Sequence, residues 1–216
     1  MRVEIWSDVA CPWCYVGTRR FERAVEETGI DVDVVYRSFE LDPTVPKGGD
    51  APPLVEYLSR KFGGMERVAA AHQRLEEAAE ELDIDFNWPV MRRANTFDAH
   101  RLLAWALETE GALRQRALKK ALLRAYFTDG QVMTDHEVLA DRAAEVGLDR
   151  AAALEVLASD RFAADVVASR EEAHSNGISA VPTFVIEGQY MLQGAHPTDA
   201  WVRALRQMES ELATTT

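Results

Sequence analysis

Ser7-Asp8-Val9-Ala10-Cys11-Pro12-Trp13-Cys14 contains the only two cysteines of the chain, three positions apart. Just before it, Val3, Ile5 and Ser7 alternate with Arg2, Glu4 and Trp6. This period of two, with its Val/Ile/Trp bias, predicts a strand. A helix should follow at once. Pro12 suits a first helical turn, where its missing N–H has no partner to lose, and Gly29 after Glu26-Glu27-Thr28 is a C-terminal stop. Cys11 is thereby put at a helix N-terminus. Val32, Val34, Val35, Tyr36 and Phe39 then make a β-branched and aromatic run of strand length, too apolar on both faces for a sheet edge. The chain opens β-α-β.

Between Leu41 and Pro53 stand Pro43, Pro46, Gly48, Gly49, Pro52 and Pro53, a density that excludes a helix or central strand and marks the approach to an inserted region. Met65, Val68, His72, Leu75, Ala79 and Leu82 then recur at steps of three and four, one helical stripe. Four more helices are predicted at 96–109, 112–127, 135–146 and 149–176, with Gly111, Gly130, Gly147 and Gly177 at their ends. Beyond Gly177 the period becomes extended. Pro182-Thr183-Phe184-Val185-Ile186, the turn Glu187-Gly188-Gln189 and Tyr190-Met191-Leu192 predict a hairpin. A last amphipathic helix starts near Thr198 as N-cap and carries Trp201, Leu205, Met208 and Leu212. The result is an α/β fold, βαβ–ββα around an all-helical insertion. Residues 1–53 and 177–216 form one unit and 54–176 the other.

At 216 residues the chain has room for one large domain or a domain with a sizeable insertion, and 47% hydrophobic residues can close a core without metal or disulfide staples. Twenty-four basic against 36 acidic residues give a net charge of −12. That field repels phosphate backbones and anionic headgroups, so neither nucleic acid nor a membrane is an expected partner. The N-terminal residues carry no cationic stretch followed by an apolar core, and no apolar run approaches the roughly 18 residues of a membrane span. A cytoplasmic protein is expected.

Two thiols within one helical turn can close or release a disulfide, and the first faces the positive end of the helix dipole, which favours its thiolate. Thiolate attacks a substrate disulfide and the second thiol then resolves the mixed disulfide. This makes Cys11 the nucleophile and Cys14 the resolver, with a moderately depressed pKa expected at Cys11. Other readings compete. A zinc site needs about four ligands, and the chain has neither a second CxxC nor a His-x₃₋₅-His; no metal is expected. A purely structural disulfide over so short a loop would stabilise little. Two buried, inert cysteines remain an alternative, since Cys is among the most buried residue types. The strand–CxxC–helix context favours redox chemistry.

Ser7 to Gly17, the stretch Asn95-Thr96-Phe97-Asp98-Ala99-His100-Arg101-Leu102 and Val181-Pro182-Thr183-Phe184 together resemble the cytoplasmic FrnE-like branch of the DsbA family, over nearly the whole chain. The resemblance implies a thioredoxin-like fold and thiol–disulfide oxidoreductase or isomerase activity. It also implies that Cys11 and Cys14 are the redox pair and that Pro182 is a cis-proline facing them. Val181 would then offer its backbone to an extended substrate segment beside Cys11. Ala180 stands where the family often has glycine, and His196 where it often has glutamine; both bear on substrate fit.

Pro12 and Trp13, between the thiols, are candidate substrate contacts, as are Asn95, Thr96 and His100, although Thr96 could equally be an N-cap with His100 one turn on. His72 reads as a core histidine. Asp8 and Glu4 could assist proton transfer to Cys14 or be solvated surface. The expected substrate is a thiol- or disulfide-containing protein or small molecule. No cofactor is expected beyond the redox-active cysteines, with glutathione a candidate co-substrate. A homodimer through the Met65–Leu82 stripe is a further expectation. Two other functions stay open: a glutathione-dependent isomerase or transferase of the same fold, against which both cysteines argue, and a non-catalytic binding module with inert thiols.

Overall fold

The computed structural model describes residues 1–48 and 52–214. Gly49, within the Pro/Gly-rich stretch read above, lies outside the described residues. The opening follows the sequence closely: β1 is Arg2–Ser7, α1 is Pro12–Thr28 and β2 is Asp33–Ser38. Gly29 ends α1 in the left-handed region (φ 68°), where the absence of a Cβ removes the steric cost, and its N–H returns to the Val25 carbonyl. The hairpin is β3 (Thr183–Ile186) and β4 (Tyr190–Gln193), joined through Glu187 and Gly188 at positive φ.

The sheet order is β2-β1-β3-β4, with β1 parallel to β2 and antiparallel to β3. Trp6 stands opposite Thr183, so the chain leaving β1 for Cys11 and the chain entering β3 at Pro182 meet at one end of the sheet. Val3, Ile5, Val34, Tyr36, Phe184 and Ile186 share a face with Phe21 and Ala24 of α1 and with the last helix, α8 (Thr198–Thr214), whose Trp201, Leu205 and Met208 pack there. Phe21, Phe184 and Trp201 form an aromatic triad with centroids 4.6–5.3 Å apart. Each such pair contributes about 0.5–1.5 kcal/mol beyond its burial.

One expectation is corrected here. β2 is an edge strand, and its two apolar faces are explained by cover from the insertion. Gln115 donates to the Tyr36 carbonyl (2.9 Å) and accepts from the Tyr36 N–H (2.8 Å), closing the open edge with a side-chain amide. The other sheet face is covered too: Trp6 is buried against Ala173 and Ile178, its indole N–H on the Ser169 carbonyl.

Between β2 and β3 run six α-helices among the described residues: α2 (Leu54–Phe62), α3 (Met65–Ala79), α4 (Phe97–Phe127), α5 (His136–Glu145), α6 (Arg150–Leu157) and α7 (Ala163–Ser175); α8 is Thr198–Thr214. Gly111 (φ 80°, ψ −179°) breaks α4 where the sequence divides 96–109 from 112–127. The single helix expected over 149–176 is instead two. Buried Arg101 donates to the carbonyls of Val156, Ser159 and Arg161, holding the end of α6 and the turn before α7. α2 was not anticipated; none of its residues is fully buried. α3 stops at Ala79, and Met65, expected on its inner stripe, is 55% exposed. Thr198 is the first helical residue of α8 rather than its N-cap. The insertion's core includes Val9 and Tyr15, so it packs directly on α1. No helix among the described residues is long and apolar enough to cross a membrane.

Candidate redox site

Cys11 is the N-cap of α1, with extended backbone (φ −99°, ψ 111°) and Pro12 in the first turn behind it. Its carbonyl accepts from the Cys14 and Tyr15 N–H groups (3.0 and 3.2 Å), and its Sγ also accepts from the Cys14 N–H at 3.3 Å. An N-cap side chain that accepts from the first turn is ordinarily a Ser, Thr, Asp or Asn oxygen; here it is sulfur. The Cys11 thiol points to the Val181 carbonyl at 3.7 Å. Both cysteines are unbonded thiols.

The Val181–Pro182 peptide is cis. The Pro182 carbonyl accepts from the Gly194 N–H at 2.7 Å, tying the loop to the hairpin's far strand. Gly17 is the other fixed point: a Cβ there would lie 2.8 Å from Pro182 Cγ and 3.2 Å from Ala195 Cα, closer than packed atoms approach. The glycine is needed for proximity, since its own backbone is ordinary helix. Trp6, Ala173, Ile178 and Val181 surround the sulfurs with apolar atoms, and Cys14 is fully buried while Cys11 keeps 4% exposure.

Behind this shell lies a buried polar cluster. Asp8 accepts from the N–H groups of Leu41 (2.7 Å) and Ala10 (3.3 Å), and its Oδ1 stands 3.3 Å from His100 Nε2. Burial works against the carboxylate, but the His100 contact, the Leu41 N–H and nearby Lys119 outweigh it and hold Asp8 below the usual carboxylate range. Lys119, on the second half of α4 and 1% exposed, donates to the Ser7 carbonyl at 3.2 Å and lies 5.6 Å from the Tyr36 ring centroid. Burial draws its pKa down to about 8, partly offset by Cys14 and Asp8.

The two buried sulfurs are coupled to each other and to this cluster, so their titration belongs to the pair. In the dithiol, the hydrogen bond with Cys14 and burial push Cys11 well above the ordinary thiol value. Burial also raises Cys14, but its hydrogen bond with Cys11, the charge of Lys119 and the Ser7 hydroxyl more than compensate, and it lies lower. After that hydrogen bond, the charge of Lys119, a residue far away in sequence, is the next influence favouring the Cys14 anion. The two thiols share a proton, and which sulfur an incoming disulfide meets is decided by access, where Cys11 has the advantage.

Cys11, Cys14, Val181 and Pro182 are thus brought together, with half-buried Pro12 and 39%-exposed Trp13 at the rim. His100 is 1% exposed and reaches the site only through Asp8. Asn95 donates to the Val45 carbonyl and accepts from the Phe97 N–H, which caps α4 in place of the Thr96 side chain. Asn95 and Thr96 are both buried at that helix start. Ala180 is exposed beside the loop, its carbonyl accepting from Thr183 and Gln193, and His196 rests edge-on against Trp201. His72 stacks on Trp88 at 3.8 Å, away from the thiols. Glu4 is engaged by Arg37 and Arg2.

A family model described as a DSBA-like thioredoxin domain matches residues 2–206. The chain is similar to the crystal structure of a probable DsbA oxidoreductase from Streptomyces coelicolor, with 39% identity, a TM-score of 0.90 and coverage of 98% of this chain and 91% of that one. The fold is also that of a cytosolic disulfide reductase, DsbM from Pseudomonas aeruginosa, solved with GSH: 18% identity, a TM-score of 0.67, and coverage of 97% and 100%. An uncharacterized protein, YwbO of Bacillus subtilis strain 168, is 27% identical over 209 residues, 95% of this chain and 96% of its own.

Proposed function

Because the chain belongs to the family of DSBA-like thioredoxin domains, we propose that it exchanges disulfides through Cys11 and Cys14, as a thiol–disulfide oxidoreductase or isomerase. The observation that carries this reading is the position of Cys11 Sγ, which caps α1, accepts from the Cys14 N–H at 3.3 Å and faces the Val181 carbonyl at 3.7 Å. A sulfur held there can be met by an extended segment laid along Val181, with Pro182 beneath. Cys11 attacks one substrate sulfur and the other leaves as thiolate. Cys14 then attacks Cys11 Sγ, closes the Cys11–Cys14 disulfide and expels the first substrate sulfur. The substrate is reduced by two electrons and the enzyme dithiol oxidised by two; the reverse sequence oxidises a dithiol.

The 4% exposure of Cys11 restricts access. A small disulfide or an extended peptide is the substrate such limited exposure favours. Glutathione is the co-substrate we expect, and a cytoplasm, where thiols are kept reduced, the compartment. Trp13 and Pro12 would contact the substrate, and residues 54–176 would act as a separate helical unit covering the site. A glutathione redox titration with intact-mass readout tests the reading. A Cys11–Cys14 disulfide in equilibrium with a Cys11–glutathione adduct is expected. Thiols that neither oxidise nor form an adduct would return the chain to the class of binding modules.

A further inference from the structure

Tyr15 follows Cys14 in the chain, yet its side chain packs in the insertion's core while Cys14 belongs to the apolar shell of the sulfurs. Beside Tyr15 opens a cleft of about 660 Å³, walled by α1, the loop after α3, the second half of α4 and the end of α5. Neither cysteine lines it. On the α4 wall Lys120, Arg124 and Thr128 follow one another at steps of four residues, about 6 Å of helix each. Positive charge collects along the first two. Glu22, 5% exposed, is met by Arg19 at 2.7 Å, Arg116 at 3.1 Å and Lys120 at 3.5 Å, so three cations share one carboxylate and two positive charges are left over. Arg124 adds a third, since among the described residues its side chain has no ion pair or hydrogen bond. Negative charge stands at the Thr128 end. The Thr128 hydroxyl donates to the Asp85 carbonyl at 2.7 Å, which fixes Asp85 there, and Asp83 is two residues before it. Neither carboxylate has a cation partner among the described residues. The last charged group of the lining, Glu145, is taken by Arg142 at 2.7 Å. Tyr15 joins the two regions: its ring meets Phe86, next to Asp85, edge-on at 6.2 Å, and Arg19 is one turn on along α1.

We propose that this cleft is a second binding site, for a short peptide with free termini: its carboxylate on Arg124, Lys120 and Arg19, its ammonium on Asp85 and Asp83. The charges select a zwitterion. A plain anion meets two unpaired carboxylates at one end, and a plain cation meets the surplus of three positive charges in the middle. Guanidinium groups suit the carboxylate, because each presents five N–H donors and Arg19 spends one of its own on Glu22. Spacing selects the length. Arg124 and Lys120 lie four and eight residues from Thr128, about 6 and 12 Å along the helix axis. The two charges of a single amino acid sit on one carbon and do not span that interval, whereas an extended chain covers roughly 3.3–3.6 Å per residue, so two or three residues do. The site is independent of the disulfide-exchange reading, and an occupant would tie α1, which carries both cysteines, to the insertion.

The test is titration of the ¹⁵N-labelled full chain with three peptides at low salt, followed by the amide shifts of Asp83, Asp85 and the Ala117–Thr128 stretch. Triglycine carries both charges, N-acetyltriglycine lacks the ammonium and triglycinamide lacks the carboxylate. Triglycine should saturate these shifts, and each blocked peptide should bind at least about threefold more weakly, the scale of partly exposed ion pairs. Arg124→Gln should weaken triglycine by a similar factor and leave triglycinamide unchanged. Asp85→Asn should weaken triglycine and leave N-acetyltriglycine unchanged. Both side chains are exposed, so neither substitution opens the core. Binding of N-acetyltriglycine as tight as that of triglycine would overturn the proposal in favour of a plain anion site, and equally tight triglycinamide in favour of a cation site. No saturating shift in the unsubstituted protein up to about 50 mM triglycine, or shifts confined to the residues around Cys11, would overturn it outright. None of these outcomes bears on exchange at the thiols, which the glutathione titration tests separately.

Discussion

Gln115 binds both backbone polar groups of Tyr36, its amide N–H on the carbonyl at 2.9 Å and its amide oxygen on the N–H at 2.8 Å. One side chain from the insertion thus supplies what a fifth strand would, and blocks the open edge through which sheets pair with other chains. Replacing it by leucine keeps the volume and leaves two buried backbone groups unpaired. Gln115→Leu should lower stability by about 1–3 kcal/mol, read as a shift in denaturant midpoint, and the Tyr36 amide should exchange with solvent faster. An unchanged Tyr36 exchange rate would show that the edge is protected by other means.

Gly17→Ala sets two effects against each other. Alanine favours a helix interior by roughly 0.5–1 kcal/mol, but its Cβ would lie 2.8 Å from Pro182 Cγ and 3.2 Å from the Ala195 backbone. Overpacking of this kind costs about 1–3 kcal/mol, so the variant should be destabilised, and its disulfide exchange should slow because Val181 and Pro182 are displaced from Cys11. A variant more stable than the parent would show that the loop yields at no cost.

Cys14→Ser should accumulate mixed disulfides with glutathione, since the covalent intermediate then has no resolver. Cys11→Ser should abolish exchange and trap nothing, because the remaining thiol is fully buried. Intact mass after incubation with oxidised glutathione separates the outcomes. Equal trapping by both variants would reverse or merge the two roles.

Lys119 also leaves a mark on stability. Its folded pKa of about 8 lies below the ordinary 10.5, so between those values the unfolded chain binds more protons and stability rises with pH. Below pH 8 both states are charged and the buried ammonium exerts its full cost, on the order of 3 kcal/mol from a shift of that size. Lys119→Met should therefore be the more stable protein at pH 7, with the gap closing towards pH 10.5. Urea titrations of the reduced protein and of Lys119→Met, compared at each pH, measure this. Loss of stability at pH 7 would mean that Lys119 is held by attractions stronger than its desolvation.

The parts of this fold that were legible in the sequence rest on local chemistry. Pro12 and Gly29 bound α1 to the residue, and the alternation in β1 and the Glu187-Gly188 turn carry their own geometry. What escaped depends on contacts between distant segments. Nothing in Val34-Val35-Tyr36 says that the insertion will cover an edge, and no local signal divides 149–176, because the dividing group is Arg101. Asn95 pointed to a cleft by motif alone, while its side chain caps the start of α4. Lys119 left a trace: Gln115, Leu118, Lys119 and Leu122 lie on one helical stripe and all four are buried, so two polar residues on an apolar face were a sign of purpose. The pair Leu118-Lys119 followed by Lys120 reads as ordinary surface until that stripe is drawn.

The pairing of β1 with β3 also sets a timetable. Trp6 faces Thr183 across the sheet, so 175 residues, 8–182, must be synthesised between one strand and its neighbour. At about 5–20 residues per second this is roughly 9–35 s on the ribosome. β2 and α1 can dock on β1 early, and the helices of the insertion make mostly local contacts that form fast. The other edge of β1, carrying Val3 and Ile5, must wait for the hairpin. During that interval a nascent chain already long enough to fold most of its helices carries an unsealed strand beside its two cysteines, and protection of that strand by a chaperone would be needed at this stage of synthesis more than at any later one.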